Sequence, residues 1–309
     1  MSYLGLVFFQ VVAPILVLLV VGGIMQRKFQ FNLKALSNLI TYCLMPSAVF
    51  VNIYETNVNP VVVGKILIYL FAYSISLMVL STTISKILKL EKRKSAIFKN
   101  SIVLINSGNY GIPVSQMVFH AQPLGTAIQI ITVIFQNLTT YTYGLYNLIS
   151  TTKSGWEIAR SIVKLPIVHG LILGIVLKIA NIQLPEFLSI SIGHMADAFV
   201  AIALLTLGAQ LSKIHVSTMF NKMLYMSCIG RLLMGPLVAF AWISIFGFHG
   251  VVAQSLLIAS SFPTSRNSST LALEYDVESE LAAQTVLFTT IVSCITVTIV
   301  IYVAKLLYA

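Results

Sequence analysis

The chain has 309 residues, of which 58% are hydrophobic and only 9% are charged, and its mean hydropathy is +0.93. In a water-soluble domain roughly a quarter of the residues are charged, so this composition excludes a soluble globular protein and indicates an integral membrane protein. A net charge of +10 would suggest nucleic-acid binding in a soluble protein, but here the basic residues lie in alternate connections between apolar segments. We therefore expect a lipid bilayer as the surroundings and no nucleic-acid partner.

The apolar segments predict an all-α integral membrane fold with ten transmembrane helices, since about 20 apolar residues cross a hydrocarbon core of about 30 Å. The connections are short, so residues 1–309 are expected to form a single membrane domain. The first segment lacks a basic leader and a small-residue cleavage site, and we interpret it as a retained helix. In chain order, the predicted spans are approximately residues 3–26, 34–53, 61–85, 96–119, 125–149, 164–181, 188–211, 219–246, 250–272 and 282–304.

The lysine and arginine residues predict which side of the membrane each connection faces. Fourteen of the 19 lie in alternate connections, while the opposite connections and the C-terminus hold Lys65, Lys178 and Lys305. Because positively charged loops stay cytoplasmic, we expect a multi-pass protein of the cell membrane with both termini outside the cytoplasm. The fourteen are Arg27, Lys28, Lys34, Lys86, Lys89, Lys92, Arg93, Lys94, Lys99, Lys153, Arg160, Lys164, Lys213 and Lys222.

Ten spans divide into two halves of five, residues 1–149 and 164–309. An odd number of spans per half places the halves in opposite orientations, as an inverted repeat requires. The prolines support this division, because Pro14 corresponds to Pro166 and Pro113 corresponds to Pro263 at nearly the same separation. The sequence therefore predicts two inverted five-helix repeats.

The fourth and ninth spans are unusually polar around these corresponding prolines. The fourth contains "NSGNYGIP" at residues 106–113, and the ninth contains "FPTSRNSST" at residues 262–270. Proline and glycine interrupt helices, so we expect the fourth span to stop near Asn106–Tyr110 and restart near Pro113, and the ninth to break around Pro263–Thr264. Interrupted spans at matching positions in two halves are typical of a transporter binding site. The alternative is a pair of kinked helices with a purely structural role.

Arg266 gives the predicted site its charge preference. An arginine inside the bilayer costs about 2.5–3.5 kcal/mol on insertion scales and needs a partner, yet no acidic residue of the ninth span precedes Glu274. A carboxylate substrate would satisfy the guanidinium group, and the N-termini of two restarting helices also favour an anion. The alternative is that Arg266 bonds carbonyl groups freed by the break. We expect a small organic anion bound by Asn106, Ser107, Asn109, Gly111, Pro113, Ser261, Pro263, Thr264, Arg266 and Asn267.

Two other charged residues, Asp197 and Arg231, lie within predicted spans. They could form a structural pair across neighbouring helices, which is the interpretation we favour from the residues alone, or Asp197 could carry a coupling proton. An intramembrane enzyme would need paired carboxylates or a metal motif, and Asp197 is the one carboxylate available, so we expect no enzyme activity. The three cysteines have no metal-ligand spacing, and neither a metal nor a cofactor is expected.

The chain resembles the auxin efflux carrier family along nearly its whole length. "NSGNYGIP" in the fourth span has the asparagine, spacing and Gly-Ile-Pro ending of that family's fourth-helix motif. Further similar segments, in the expected order, are "LSNLITYCLMPSAVF", "KLPIVHGLILG" followed by "IQLP", "DAFVAIALLTLGAQL" and "FPTSRNSSTLALEY". The short fifth-to-sixth connection and Arg266 resemble the bacterial malate and malonate permeases more than the plant carriers.

The resemblance implies a secondary transporter whose broken helices four and nine cross at the substrate site. Asn106, Gly111, Pro113 and Pro263 correspond to the crossing residues. Helices one, two, six and seven would form a scaffold that dimerises, and the other six would move against it as an elevator. A fixed Asp197–Arg231 pair would then join scaffold to moving unit and resist that motion.

These features together predict a carrier of a small dicarboxylate such as malate or malonate, working by alternating access. The alternative is a sodium-coupled organic-anion symporter similar to the bile-acid symporters, although no acidic cluster lies at the breaks to hold the ion. The third span has Lys65 but no carboxylate, which some plant members carry there, so proton coupling stays open.

Overall fold

The computed structural model describes residues 13–55, 60–148, 166–212 and 221–308. Residues 3–12 of the first predicted span and the basic residues Lys153, Arg160, Lys164 and Lys213 lie outside these ranges. The described helices are, in chain order, α1 (Ala13–Phe29), α2 (Leu33–Glu55), α3 (Pro60–Ile87), α4a (Lys92–Val103), α4b (107–118), α5 (123–148), α6 (Pro166–Ile179), α7 (Glu186–Leu211), α8 (Lys222–Phe246), α9a (Gly250–Ser260), α9b (Arg266–Glu274) and α10 (Ser279–Leu307).

Within the described residues, the five helices α2, α3, α7, α8 and α10 are long and apolar enough to cross a membrane. Large apolar side chains on their outer surfaces are exposed, among them Ile68, Ile245 and Ile295. Such surfaces are stable when they face lipid rather than water. The all-helical, multi-pass membrane class is confirmed. Ten spans and an inverted repeat stay predictions, because α6 and the interrupted helices are individually shorter than a continuous span.

The predicted interruptions of the fourth and ninth spans are confirmed, and they meet. Residues 104–106 and 261–265 leave the helical conformation, and Ile105 pairs with Thr264 in an isolated antiparallel bridge. The Asn106 N–H donates to the Pro263 carbonyl at 2.8 Å, and the Ser265 N–H donates to the Leu104 carbonyl at 2.8 Å. Each break thereby provides backbone partners that the other lacks, which satisfies polar groups inside the bilayer.

The fourth span breaks earlier than predicted. Its helix ends at Val103 and resumes at Ser107, rather than stopping at Asn106–Tyr110 and resuming at Pro113. A π-helical turn covers Ser107–Gly111, and the Gly111 N–H reaches back to the Asn106 carbonyl at 3.0 Å. Pro113 therefore falls in the first turn after the wide turn, where its missing N–H does not end the helix. The position of the break is set by pairing with the other break.

The helices pack in two groups. Helix α7 lies against α1 and α2, and α6 lies against α2; we name these four helices the scaffold group. The remaining helices, α3, α4a, α4b, α5, α8, α9a, α9b and α10, contact one another more extensively than they contact the scaffold group, and we name them the crossing group. A smaller apolar cluster, including Leu44, Ile167 and Phe199, joins α2, α6 and α7 to α4b and α5.

The α1–α7 contact is a direct approach of two backbones. A Cβ atom on Gly22 would lie 2.0 Å from the carbonyl oxygen of Leu205, and one on Gly208 would lie 2.0 Å from that of Leu19. Residues without a side chain are needed at both positions, as is common where membrane helices pack closely.

The second break is also held by α10, and this contact can be tested. The Thr289 hydroxyl accepts a hydrogen bond from the Thr264 N–H at 3.2 Å. Thr289→Val should leave that buried donor unpaired and lower the free energy of unfolding by about 1–3 kcal/mol, seen as a lower Tm in detergent. The matched control is Thr290→Val, because the Thr290 hydroxyl donates to the Val286 carbonyl of its own helix. Equal Tm values for the two variants would contradict this anchoring role.

Candidate functional site

A cavity of about 140 Å³ lies beside the crossing of the two breaks. It is bounded by both helix groups, because α2 and α6 of the scaffold group face α4b, α5 and α9b of the crossing group. Its lining residues are Thr41, Met45, Ile105, Asn106, Ser107, Gly108, Asn109, Val133, Gln136, Asn137, Thr140, Pro166, Ile167, Ser265, Arg266 and Asn267.

The N-terminus of α4b faces this cavity. Ser107, Gly108 and Asn109 form the first turn, and N–H groups in the first turn of a helix have no carbonyl partner within the helix. Asn106 precedes them and is 4% exposed, and its side-chain Nδ2 has no hydrogen-bond partner. A buried amide donor without a partner is rare in proteins. The α4b end of the cavity thus presents donors that suit an acceptor such as a carboxylate oxygen.

The N-terminus of α9b faces the same cavity from the other break. Ser265 caps the helix by accepting a hydrogen bond from the Asn267 N–H at 3.2 Å, and Arg266 is the first helical residue. The half-buried Arg266 donates from Nη1 to the Ser37 hydroxyl at 3.3 Å. Lys94 and Glu91 form an ion pair at the surface, whereas no carboxylate of the described residues lies within 4.0 Å of Arg266.

Arg231, rather than Arg266, binds the carbonyl groups freed by the breaks. It is fully buried, and its Nη1 and Nη2 donate to the carbonyl oxygens of Ile102 and Ser260, each at 2.5 Å. These carbonyls lie at the C-terminal ends of α4a and α9a. The predicted Asp197–Arg231 pair is therefore wrong, and Asp197 is exposed on α7. Because Arg231 satisfies carbonyls on both interrupted helices, Arg266 is available to face the cavity.

The ten predicted site residues divide between two places. Asn106, Ser107, Asn109, Arg266 and Asn267 line the cavity, and the other five lie away from its lining, within the crossing. Of these, Gly111 is required by packing, since a Cβ there would lie 2.5 Å from Gln129 Nε2 and 2.7 Å from Phe262 Cε2. The Pro263 carbonyl accepts from the Asn106 N–H, and the Ser261 hydroxyl donates to the Ile258 carbonyl of α9a. The Thr264 hydroxyl donates to the Ser101 carbonyl of α4a. Pro113 is buried in the first α-helical turn after the π-helical turn Ser107–Gly111.

Sequence reasoning missed the polar residues that α5 and α2 contribute. Gln136, Asn137 and Thr140 line the cavity from α5, and Thr41 lines it from α2. Gln136 also supports the break, since its Oε1 accepts a hydrogen bond from the Ile105 N–H at 3.3 Å. The signal that could have identified the α5 residues is "QNLTT" at 136–140, a polar run inside an apolar span.

Comparison with known proteins also indicates a membrane protein, and specifically a transporter. The chain is 26% identical to an uncharacterized transporter of Methanocaldococcus jannaschii over 305 residues, which covers 93% of this chain and 96% of that protein. It is 23% identical to an uncharacterized transporter of Methanothermobacter thermautotrophicus over 297 residues, covering 93% and 95% of the two chains. Residues 7–161 and 156–301 match the family described as membrane transport protein. Because these matches span nearly the whole sequence, the chain belongs to the membrane transport protein family.

Proposed function

We propose that this membrane transport protein is a secondary transporter of small organic anions. The observation that carries the proposal is the position of Arg266, a guanidinium group beside the cavity with no described carboxylate within 4.0 Å. The N-termini of α4b and α9b flank it with N–H groups and the unpaired amide of Asn106. A bound carboxylate would receive charge-assisted hydrogen bonds from these donors.

The dimensions of the cavity favour a small substrate. Its volume of about 140 Å³ is well below the roughly 300–1,000 Å³ of sites for drug-sized ligands. One carboxylate would face Arg266, and a second would face the donors of α4b and the amides of Asn109 and Asn137. The substrate that fits this arrangement best is a C3 or C4 dicarboxylate such as malonate or malate.

The proposed mechanism is alternating access of the elevator type. The cavity lies between the scaffold group and the crossing group, so sliding one group past the other would change the side to which the cavity opens. The backbone bridge between the two breaks would keep both helix N-termini on the substrate during this motion. The proposal also includes two inverted repeats, a homodimer formed through α1, α2, α6 and α7, and location in the cell membrane with both termini extracytoplasmic.

Uptake by proteoliposomes tests the function. We expect saturable uptake of labelled malate above the level of protein-free liposomes. Measuring this uptake with and without a proton gradient shows whether protons drive it. Unlabelled malonate should compete, whereas an aromatic carboxylate too large for the cavity should not. Absence of both binding and uptake for the C3 and C4 dicarboxylates would contradict the proposed substrate class.

A further inference from the structure

Arg231 lies where both interrupted helices end. Helix α4a ends at Val103 and α9a ends at Ser260, and the last carbonyl groups of a helix lack intrahelical partners and carry partial negative charge. The Arg231 guanidinium binds the carbonyl oxygens of Ile102 and Ser260 and the hydroxyl oxygen of Tyr73, which is 2.6 Å from Nη2. Three oxygens from three helices therefore surround one positive charge.

The surroundings of Arg231 bind its two Nη groups without a counter-anion, and its buried Nε has no hydrogen-bond partner. The residue is 0% exposed, and no described carboxylate lies within 4.0 Å of it. Gly235 leaves the necessary space, because a Cβ there would lie 2.5 Å from Arg231 Nη2 and 3.1 Å from the Ser260 carbonyl oxygen. Arg231 also lies in a π-helical turn of α8, Gly230–Met234, a local widening that is frequent at functional positions.

In transporters with broken helices, half-helix C-terminal ends and unwound carbonyls are the groups that bind a coupling cation such as sodium. We propose that Arg231 is a tethered cation that fills a sodium-type site formed by Ile102, Ser260 and Tyr73. The consequence for transport, which rests on the proposed function, is that substrate binding and translocation do not require sodium. Arg231 acts through the two broken helices and is a positioning residue, not a substrate ligand.

The test compares the thermal stability of purified protein in NaCl and in KCl at equal ionic strength. The native protein should have the same Tm in both salts. Arg231→Ala vacates the oxygen site, so its Tm in KCl should fall. Sodium at about 100 times its dissociation constant should then raise the Tm by about 3–5 °C. Adding Tyr73→Phe to Arg231→Ala removes one oxygen and should shift this rescue to higher sodium concentrations.

Arg231→Lys is the matched control, because it keeps a tethered cation and should be equally stable in the two salts. Sodium-specific stabilisation of the native protein would overturn the proposal, as would a folded Arg231→Ala variant with no preference for sodium. If Arg231→Ala folds only when purified in NaCl, that requirement is the expected rescue. Failure to fold in both salts while Arg231→Lys folds in both would overturn it.

The outcomes separate this inference from the proposed function. The stability measurement needs no substrate, so sodium rescue of Arg231→Ala would support the tethered cation even if malate is not transported. Sodium-stimulated malate uptake by the native protein would overturn the tethered cation and leave the carrier function intact.

Discussion

Arg266→Gln is expected to weaken dicarboxylate binding by about 30-fold or more while leaving the protein folded. Removing one partner of a buried, hydrogen-bonded charge pair costs about 2–5 kcal/mol, and each 1.4 kcal/mol corresponds to a tenfold change in affinity. Stability should not fall, because Arg266 bonds one hydroxyl group and the variant removes a half-buried charge from the bilayer. Calorimetric or labelled-malate binding to purified protein measures the first effect, and the Tm measures the second.

Two further variants isolate the charge of Arg266. Arg266→Lys keeps the positive charge but loses the two-point fork, so its affinity should lie between those of the native protein and Arg266→Gln. Ser37→Ala removes the hydroxyl partner and no charge, and it should leave affinity within a few-fold of the native value. Unchanged affinity of a folded Arg266→Gln variant would remove this arginine from the site.

Gly22→Ala is expected to cause a large loss of stability, equal to that of Gly208→Ala on the facing helix. The added Cβ would lie 2.0 Å from the Leu205 carbonyl oxygen and 2.7 Å from its carbonyl carbon, so two backbones would have to separate. Overpacking of this kind usually costs about 1–3 kcal/mol, and here no flexible side chain can move aside to reduce it. Thermal unfolding in detergent should show a clearly lower Tm.

The neighbouring glycine provides the control for this substitution. A Cβ on Gly23 would lie 3.5 Å from the Gly208 carbonyl oxygen, an ordinary contact, so Gly23→Ala should be neutral or slightly stabilising. A similar Tm for Gly22→Ala and Gly23→Ala would contradict the close approach of α1 and α7.

Much of the fold follows from one-dimensional patterns. Apolar length indicated the membrane class, and Pro113, Pro263 and the nearby glycines indicated which spans are broken. The position of the first break differs from the prediction because a helix propensity describes one segment, whereas residues 104–106 leave the helix to pair with residues of the other break. Tertiary hydrogen bonding decided the boundary.

The site was predicted in part for a similar reason. Asn106 and Arg266 were recognised because polar residues are rare inside a span, and the same reasoning could have selected Gln136. It could not assign the two arginines, since Arg231 and Arg266 have the same chemistry. Which one reaches the freed carbonyls depends on how α8, with its π-helical turn, packs against both broken helices.

The bridge between the breaks consists of main-chain atoms, and this limits which substitutions evolution can accept there. Asn106 and Ser265 donate their N–H groups, so a proline at either position would remove one of the two hydrogen bonds between the breaks. Pro263 contributes only its oxygen, so its ring removes nothing from the pairing. The two accepting positions, Leu104 and Pro263, need only a carbonyl for the pairing, so the buried Leu104 side chain is restricted by the core around it and not by the bridge.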